Sequence, residues 1–166
     1  MADLKWLGAY SGQTLDELLS LAGDYRIDSL VAAVQEALDG KAARLGQQSL
    51  SDAERVVLAV EALEREVNNG GYGQFFINSS SGFAQAIVDS LLRIGCPKTA
   101  NITKSAIEAL HVPDLGAHSI ETAMASDSDE RDDELDRCNE MYYQAGEDIA
   151  GQLFAFIRTN QRSVSL

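Results

Sequence analysis

Amide, hydroxyl and aromatic side chains are concentrated in the segment EVNNGGYGQFFINSSSGF, residues 66–83. Amides and hydroxyls donate and accept hydrogen bonds, and aromatic rings offer large apolar surfaces, so this mixture can line a ligand site. One hypothesis is a small concave binding site lined by Asn69, Tyr72, Gln74 and Asn78. The favoured hypothesis is architectural: a tight non-helical loop enters the core and satisfies its own backbone groups there. The residues concerned are Asn68, Asn69, Gly70, Gly71, Tyr72, Gln74, Phe75, Phe76, Asn78 and Ser79.

Motifs typical of catalysis or metal binding do not occur elsewhere in the sequence. His111 and His118 are separated by a proline, and there is no HExxH or CxxC motif that would hold a metal. No serine occupies a GxSxG motif, and neither Cys96 nor Cys138 has a histidine beside it. The glycines of residues 66–83 are not followed by the Lys-Ser/Thr of a phosphate loop. We therefore predict no enzyme activity, no metal and no cofactor, and two unpaired, buried cysteines.

Eight carboxylates lie in the run DSDERDDELDRCNE, residues 127–140, together with only two arginines. Acids in the first turn of a helix favour the positive end of its dipole, but eight exceed that need. The run is either a solvated helix face or an anionic ridge whose carboxylates, about 5–6 Å apart, approximate the phosphates of one DNA strand. The partner-binding candidates are Asp127, Asp129, Glu130, Asp132, Asp133, Glu134, Asp136 and Glu140, with Glu61 and Glu64 as weaker candidates.

The whole chain is strongly acidic. Its 166 residues contain 26 Asp and Glu against 13 Lys and Arg, which gives a formal net charge of −13. This charge repels nucleic acid and anionic membranes, so the expected partner is a basic protein surface, with no direct nucleic acid or membrane contact. The start of the chain has no signal-peptide pattern and no apolar run is long enough to cross a bilayer, so we expect a cytoplasmic protein.

The elements that must position these side chains are helices. Apolar residues recur every three or four positions and alternating strand patterns are scarce, which predicts an all-α, irregular bundle of about six to eight helices in a single domain, residues 1–166. Residues 1–50 form N-terminal helices. Ser51 and Glu54 predict a capping box, after which a helix runs to Val67 and ends at the following Asn-Asn-Gly-Gly. The spacing of apolar residues predicts one long C-terminal helix over residues 132–158.

Three blocks of the sequence carry a family resemblance. The segment EVNNGGYGQFFINSSSGF, followed by LLRIGCPKTANI and LDRCNEMYYQAGEDIAGQLFAFI, resembles a bacterial domain-of-unknown-function family over about residues 51–157. That family includes a DNA-mimic protein that antagonises a transcription factor. The resemblance implies an all-helical single domain, and no catalytic assignment carries over from it to these positions. It also implies a family signature made of Glu66, Val67, Asn68, Asn69, Gly70, Gly71, Gln74, Phe75, Phe76, Asn78 and Ser79.

Three functional hypotheses follow. The leading one is a non-enzymatic acidic binding protein, in its specific form a DNA mimic that occupies the DNA-binding surface of a transcription regulator. The second is an immunity or antitoxin-type protein that masks a basic nuclease. The third is a small-molecule-binding helical domain that uses the Asn-Gly segment. The sequence leaves the partner's identity and the oligomeric state open.

Overall fold

The computed structural model describes residues 3–166, and α-helices dominate it, which confirms the predicted all-α class. Among these residues no strand forms, and only two isolated bridges, Lys5 with Tyr25 and Ala22 with Tyr25, have strand-like pairing. Three short 3₁₀ turns accompany the eight α-helices of the described chain. The helices are α1 Leu15–Ser20, α2 Ile27–Leu45, α3 Asp52–Ile77, α4 Ile87–Arg93, α5 Pro97–Glu108, α6 Ala117–Ala125, α7 Asp129–Gln144 and α8 Ile149–Thr159.

The described chain divides into two compact units. The first contains residues 3–61 and 148–166, in which α2 packs against α1 and α8. Its core includes the fully buried Leu30, Val34 and Leu38 of α2. The predicted capping box at Ser51 is confirmed, because Ser51 Oγ accepts from the N–H of Glu54 and Glu54 Oε2 accepts from the N–H of Ser51.

The second unit contains residues 62–147 and holds both the segment 66–83 and the acidic run. Within it, α5 packs against α4 and α7, and α6 packs against the 3₁₀ turn Ser79–Phe83. Tyr72, Phe75 and Phe76 are its largest fully buried side chains. None of the helices described in residues 3–166 is both long and apolar enough to span a membrane.

The prediction of a tight non-helical loop after Val67 is wrong. Helical geometry does break at the predicted place, since Gly70 and Gly71 leave it and Gly71 adopts a φ of +82°. The chain then returns to helix and continues to Ile77. The return has a physical cause, because Tyr72, Phe75 and Phe76 follow helical spacing and reach the core together only if the backbone is helical.

The prediction of one long C-terminal helix is also wrong. The apolar spacing continues through residues 132–158, but the chain forms α7 and α8 with a break between them. Gly146 has a φ of +67°, which a helix does not contain. Asp148 then starts α8 by accepting a hydrogen bond from the Gly151 N–H over 3.0 Å.

Candidate binding surface

The acidic run forms most of α7, and the sequence of that helix explains why it is stable despite its charge. Ser128 caps it, its side chain accepting from the Arg131 N–H over 3.3 Å. Acids occupy the first turn, where the helix dipole favours them. Leu135, Cys138 and Tyr142 recur at helical spacing and are buried, so one side of α7 faces the interior of its unit.

The opposite side of α7 carries a line of four carboxylates. Asp129, Asp133, Asp136 and Glu140 follow the spacing i, i+4, i+7, i+11, and all four are exposed. At 1.5 Å per residue they extend over about 16 Å of helix. No Lys or Arg of residues 3–166 forms an ion pair with any of them. We call these four residues the outer stripe.

The other acids predicted as partner-binding residues have different surroundings. Asp132 is paired with Arg131 over 2.8 Å, and Glu134 with Arg137 over 2.5 Å. Asp127 is exposed and lies before the capping residue, and Glu130 faces α5. Glu61 and Glu64 lie on α3, where each is half-buried and has interactions of its own. The structure therefore brings four of the ten candidates into one line.

Arg131 has a structural role within the acidic run. It is 7% exposed, and its guanidinium donates to the carbonyls of Ala123 and Ser126 as well as to Asp132. These bonds close the turn between α6 and α7. One of the two cations in the run is therefore buried beneath α7 and does not neutralise the outer stripe.

The segment of residues 66–83 holds α7 in place. The N–H of Tyr72, the first helical residue after the break in α3, donates to Asn139 Oδ1 over 2.8 Å. The hydroxyl of Tyr143 donates to the Val67 carbonyl over 3.0 Å. The Tyr72 and Tyr142 rings meet edge to face, with centroids 6.0 Å apart. The backbone on both sides of the glycine break is thus bonded to the helix that carries the outer stripe.

Glycine fits the close contacts at the break, and Gly71 in particular has a backbone conformation that favours glycine. A Cβ on Gly71 would lie 2.5 Å from the Asn139 side chain, and the φ of +82° already disfavours any other residue. A Cβ on Gly70 would lie 2.0 Å from Gln74 Oε1. The paired glycines let α3 bend and bring Tyr72 against Asn139.

Glu66 organises the polar side of the same break. It is 6% exposed, and its carboxylate accepts from Gln74 Nε2 over 2.9 Å, from Asn78 Nδ2 over 2.8 Å and, at longer range, from Arg65. Burial acts to raise the pKa of Glu66, but the hydrogen bonds from Gln74, Asn78 and Arg65 outweigh it and the pKa lies below its ordinary value. Two amides that were candidates for ligand binding therefore bind a carboxylate of their own chain.

The side chains of the hypothetical concave site have different surroundings. Tyr72 is fully buried, its hydroxyl lies 2.7 Å from Thr103 Oγ1, and burial raises its pKa. Gln74 and Asn78 bind Glu66, whereas Asn69 is exposed. Asn68, also exposed, donates to the Glu64 carbonyl, and Ser79 begins a 3₁₀ turn. The arrangement favours the architectural interpretation of the segment.

Sequence reasoning missed the residues that connect these parts. Asn139, Thr103 and Glu147 each bond to a residue distant in the chain, and no local motif marks them. Cys96 and Cys138 are both buried, and no disulfide joins them. Within residues 3–166 no three His, Cys, Asp or Glu side chains converge as metal ligands.

The chain matches the model of a known protein family. No curated protein matches the chain. The model of the DMP19-like protein family matches residues 48–160, which include the break in α3 and the whole of α7. This match covers more than half of the chain, and the chain therefore belongs to the DMP19-like protein family.

Proposed function

We propose that this protein binds a basic protein surface through the outer stripe and catalyses no reaction. In the most specific form of the proposal, the carboxylates occupy the DNA-binding face of a regulator in place of DNA phosphates. Membership of the DMP19-like family and the resemblance to a family that includes a DNA mimic support this form.

The observation that carries the proposal is that no Lys or Arg of residues 3–166 forms an ion pair with the outer stripe. Asp129, Asp133, Asp136 and Glu140 are exposed and unpaired, so their field extends into solvent. Their mean separation along the helix is about 5.5 Å, against about 3.4 Å per phosphate along the axis of one DNA strand. The outer stripe is therefore a line of negative charges that are farther apart than the phosphates of one DNA strand. A surface rich in Lys or Arg can pair with them.

The fixed position of α7 adds to the expected affinity. Because Asn139 and Tyr143 bond α7 to the backbone of α3, the four carboxylates are held on one rigid element before any partner arrives. Preorganisation reduces the conformational entropy lost on binding. Attraction between opposite charges should also make association fast and sensitive to salt, with a screening length of about 8 Å at physiological ionic strength.

The test compares two variants of equal charge. In the stripe variant, D129N/D133N/D136N/E140Q, the outer stripe is neutral. In the control variant, D3N/D24N/D89N/E121Q, four other exposed acids are neutral, and each variant changes the net charge from −13 to −9. A partner is first captured from source-cell lysate with the unchanged protein at low salt and identified by mass spectrometry. Its affinity for all three proteins is then measured over a series of salt concentrations.

We expect the stripe variant to lose about tenfold or more in affinity and much of its salt dependence, while the control variant loses far less. Equal losses in both variants would mean that net charge alone matters, and no loss in the stripe variant would refute the proposal. The captured partner separates the two binding hypotheses. A transcription regulator displaced from its operator supports DNA mimicry, whereas a nuclease that loses activity supports the immunity or antitoxin-type function.

A further inference from the structure

A groove runs between α5 and α7, on the side of α7 next to the outer stripe. Two neighbouring hollows of about 370 and 360 Å³ form it, and Ser105 of α5 lines both. Glu130, Glu134, Arg137 and Met141 recur every three or four residues along α7 and form its wall on that helix.

One end of the groove is acidic. Glu108, Glu130 and Glu134 line this hollow together with a single cation, Arg137. Arg137 is already paired with Glu134 over 2.5 Å and Lys104 with Glu108 over 3.9 Å, whereas no Lys or Arg of residues 3–166 pairs with Glu130. His111, also at this end, has a φ of +49°, an uncommon backbone conformation for a residue other than glycine. The acidic end therefore retains capacity for an incoming cation.

The other end of the groove has a more apolar surface. Ile102, Met141 and Ala145 line it together with the polar Lys98, Asn101, Ser105 and Gln144, and Met141 is 43% exposed. Methionine is flexible and polarizable, and exposed methionines adapt to apolar side chains of different shapes. This end can therefore accept an apolar side chain. Imitation of DNA phosphates alone would not need such an apolar site.

We propose that the groove binds an amphipathic basic helix of a protein partner. The helix would place Lys or Arg beside Glu130 and Glu134 and insert an apolar side chain beside Met141. Glu134 and Met141 are seven residues apart on α7, so the basic and apolar residues of the partner should be about 10 Å apart, close to two helical turns. This proposal rests on the proposed function and specifies the kind of partner surface that it recognises.

The probes are two synthetic helical peptides with equal charge. Both carry Arg at helical spacing. They differ at one position, seven residues from the nearest Arg, where the first peptide has Leu and the second has Ser. Binding to the full chain is measured by fluorescence anisotropy at low and at physiological salt. The variants are M141S, the stripe variant, and I77S as the control, because Ile77 is 68% exposed and does not line the groove.

We expect the Leu peptide to bind about tenfold more tightly than the Ser peptide, because binding removes the apolar surface of the leucine from water. This ratio should persist at physiological salt, fall to near one in M141S and remain in I77S. Equal binding of the two peptides, no binding of either, or an unchanged ratio in M141S would overturn the groove proposal.

The same experiment separates failure of the groove from failure of the stripe. If the stripe variant loses affinity for both peptides while the Leu and Ser peptides bind equally, the groove proposal is wrong and the proposed function stands. If the stripe variant keeps full affinity for both peptides while M141S removes the Leu preference, the groove is supported and the stripe is not the charged site.

Discussion

The N–H of Tyr72 donates to Asn139 Oδ1 over 2.8 Å. Through this bond, a side chain of α7 caps the part of α3 that follows the glycine break. The first N–H groups of any helix lack partners within that helix, so a capping acceptor has to come from elsewhere. Here it comes from 67 residues further along the chain. The segment of residues 66–83 thereby positions the acidic helix proposed to bind the partner.

Replacing Asn139 with alanine should destabilise the protein by about 1–3 kcal/mol. Tyr72 is fully buried, so its N–H would lose its acceptor without gaining water, and an unsatisfied buried donor costs about that much. Urea unfolding followed by circular dichroism measures the change. N101A is the matched control, because Asn101 is exposed on α5. A loss in N139A no larger than in N101A would show that the bond does not stabilise the fold.

The two glycines of the Gly71-Tyr72-Gly73 stretch should respond in opposite directions to alanine. G71A places a Cβ within 2.5 Å of the Asn139 side chain at a φ of +82°, and we expect a loss of more than about 1 kcal/mol. Gly73 is helical and a Cβ there meets nothing within 4 Å, so G73A should stabilise the protein by about 0.5–1 kcal/mol. Thermal melts of both variants check this. A Tm that falls equally in both would contradict the geometry at the break.

Glu66 should make stability depend on pH in a defined direction. Its hydrogen bonds hold its pKa below the ordinary value of 4.5, so the charged form is stabilised by folding. That contribution is fully present above 4.5 and is lost as the pH falls through the lower pKa of the folded state. We therefore expect E66Q to cost about 1–3 kcal/mol at neutral pH, because an amide then faces the amides of Gln74 and Asn78.

The difference in unfolding free energy between wild type and E66Q should shrink as the pH falls below 4.5. Urea titrations at several pH values measure this difference, with E121Q as the control because Glu121 is exposed. A difference that stays constant across this range would show that the charge of Glu66 is not what the amides stabilise.

Local patterns in the sequence predicted much of the helical structure. The spacing of Leu135, Cys138 and Tyr142 indicates the side of α7 that is buried. Both hydrogen bonds of the predicted Ser51-Glu54 capping box are present. Such features depend on residues within one or two turns of each other, which a single sequence displays directly. Once the buried side of α7 is known, helical spacing also places the four residues of the outer stripe together on the opposite side, apart from the paired acids.

The features that the sequence did not predict depend on contacts between distant residues. The return to helix after Gly71 depends on packing of Tyr72 and on its bond to Asn139. The end of α7 was missed because the apolar spacing continues unchanged past Gly146, and only the backbone shows its positive φ. Periodicity describes which side of a helix is apolar, but it does not show where the helix has to stop.

The break after α7 allows Glu147 to cap another helix. Its carboxylate accepts from the N–H groups of Lys98 and Thr99, over 2.9 and 2.8 Å, and from the Thr99 hydroxyl over 2.7 Å, at the start of α5. Burial acts to raise the pKa of Glu147, but these bonds outweigh it and lower the pKa. Because Glu147 lies outside regular helix, its side chain can reach these N–H groups, which have no acceptor within α5.

E147A should therefore destabilise the protein by about 0.5–2 kcal/mol, the usual range for loss of a helix cap. Hydrogen exchange tests the cause, because the amides of Lys98 and Thr99 should lose protection while those in the middle of α5 exchange almost as before. Q144A is the control, since Gln144 is exposed at the end of α7 and makes no bond to α5. Unchanged exchange at Lys98 and Thr99 in E147A would show that the carboxylate does not cap α5, whatever the change in stability.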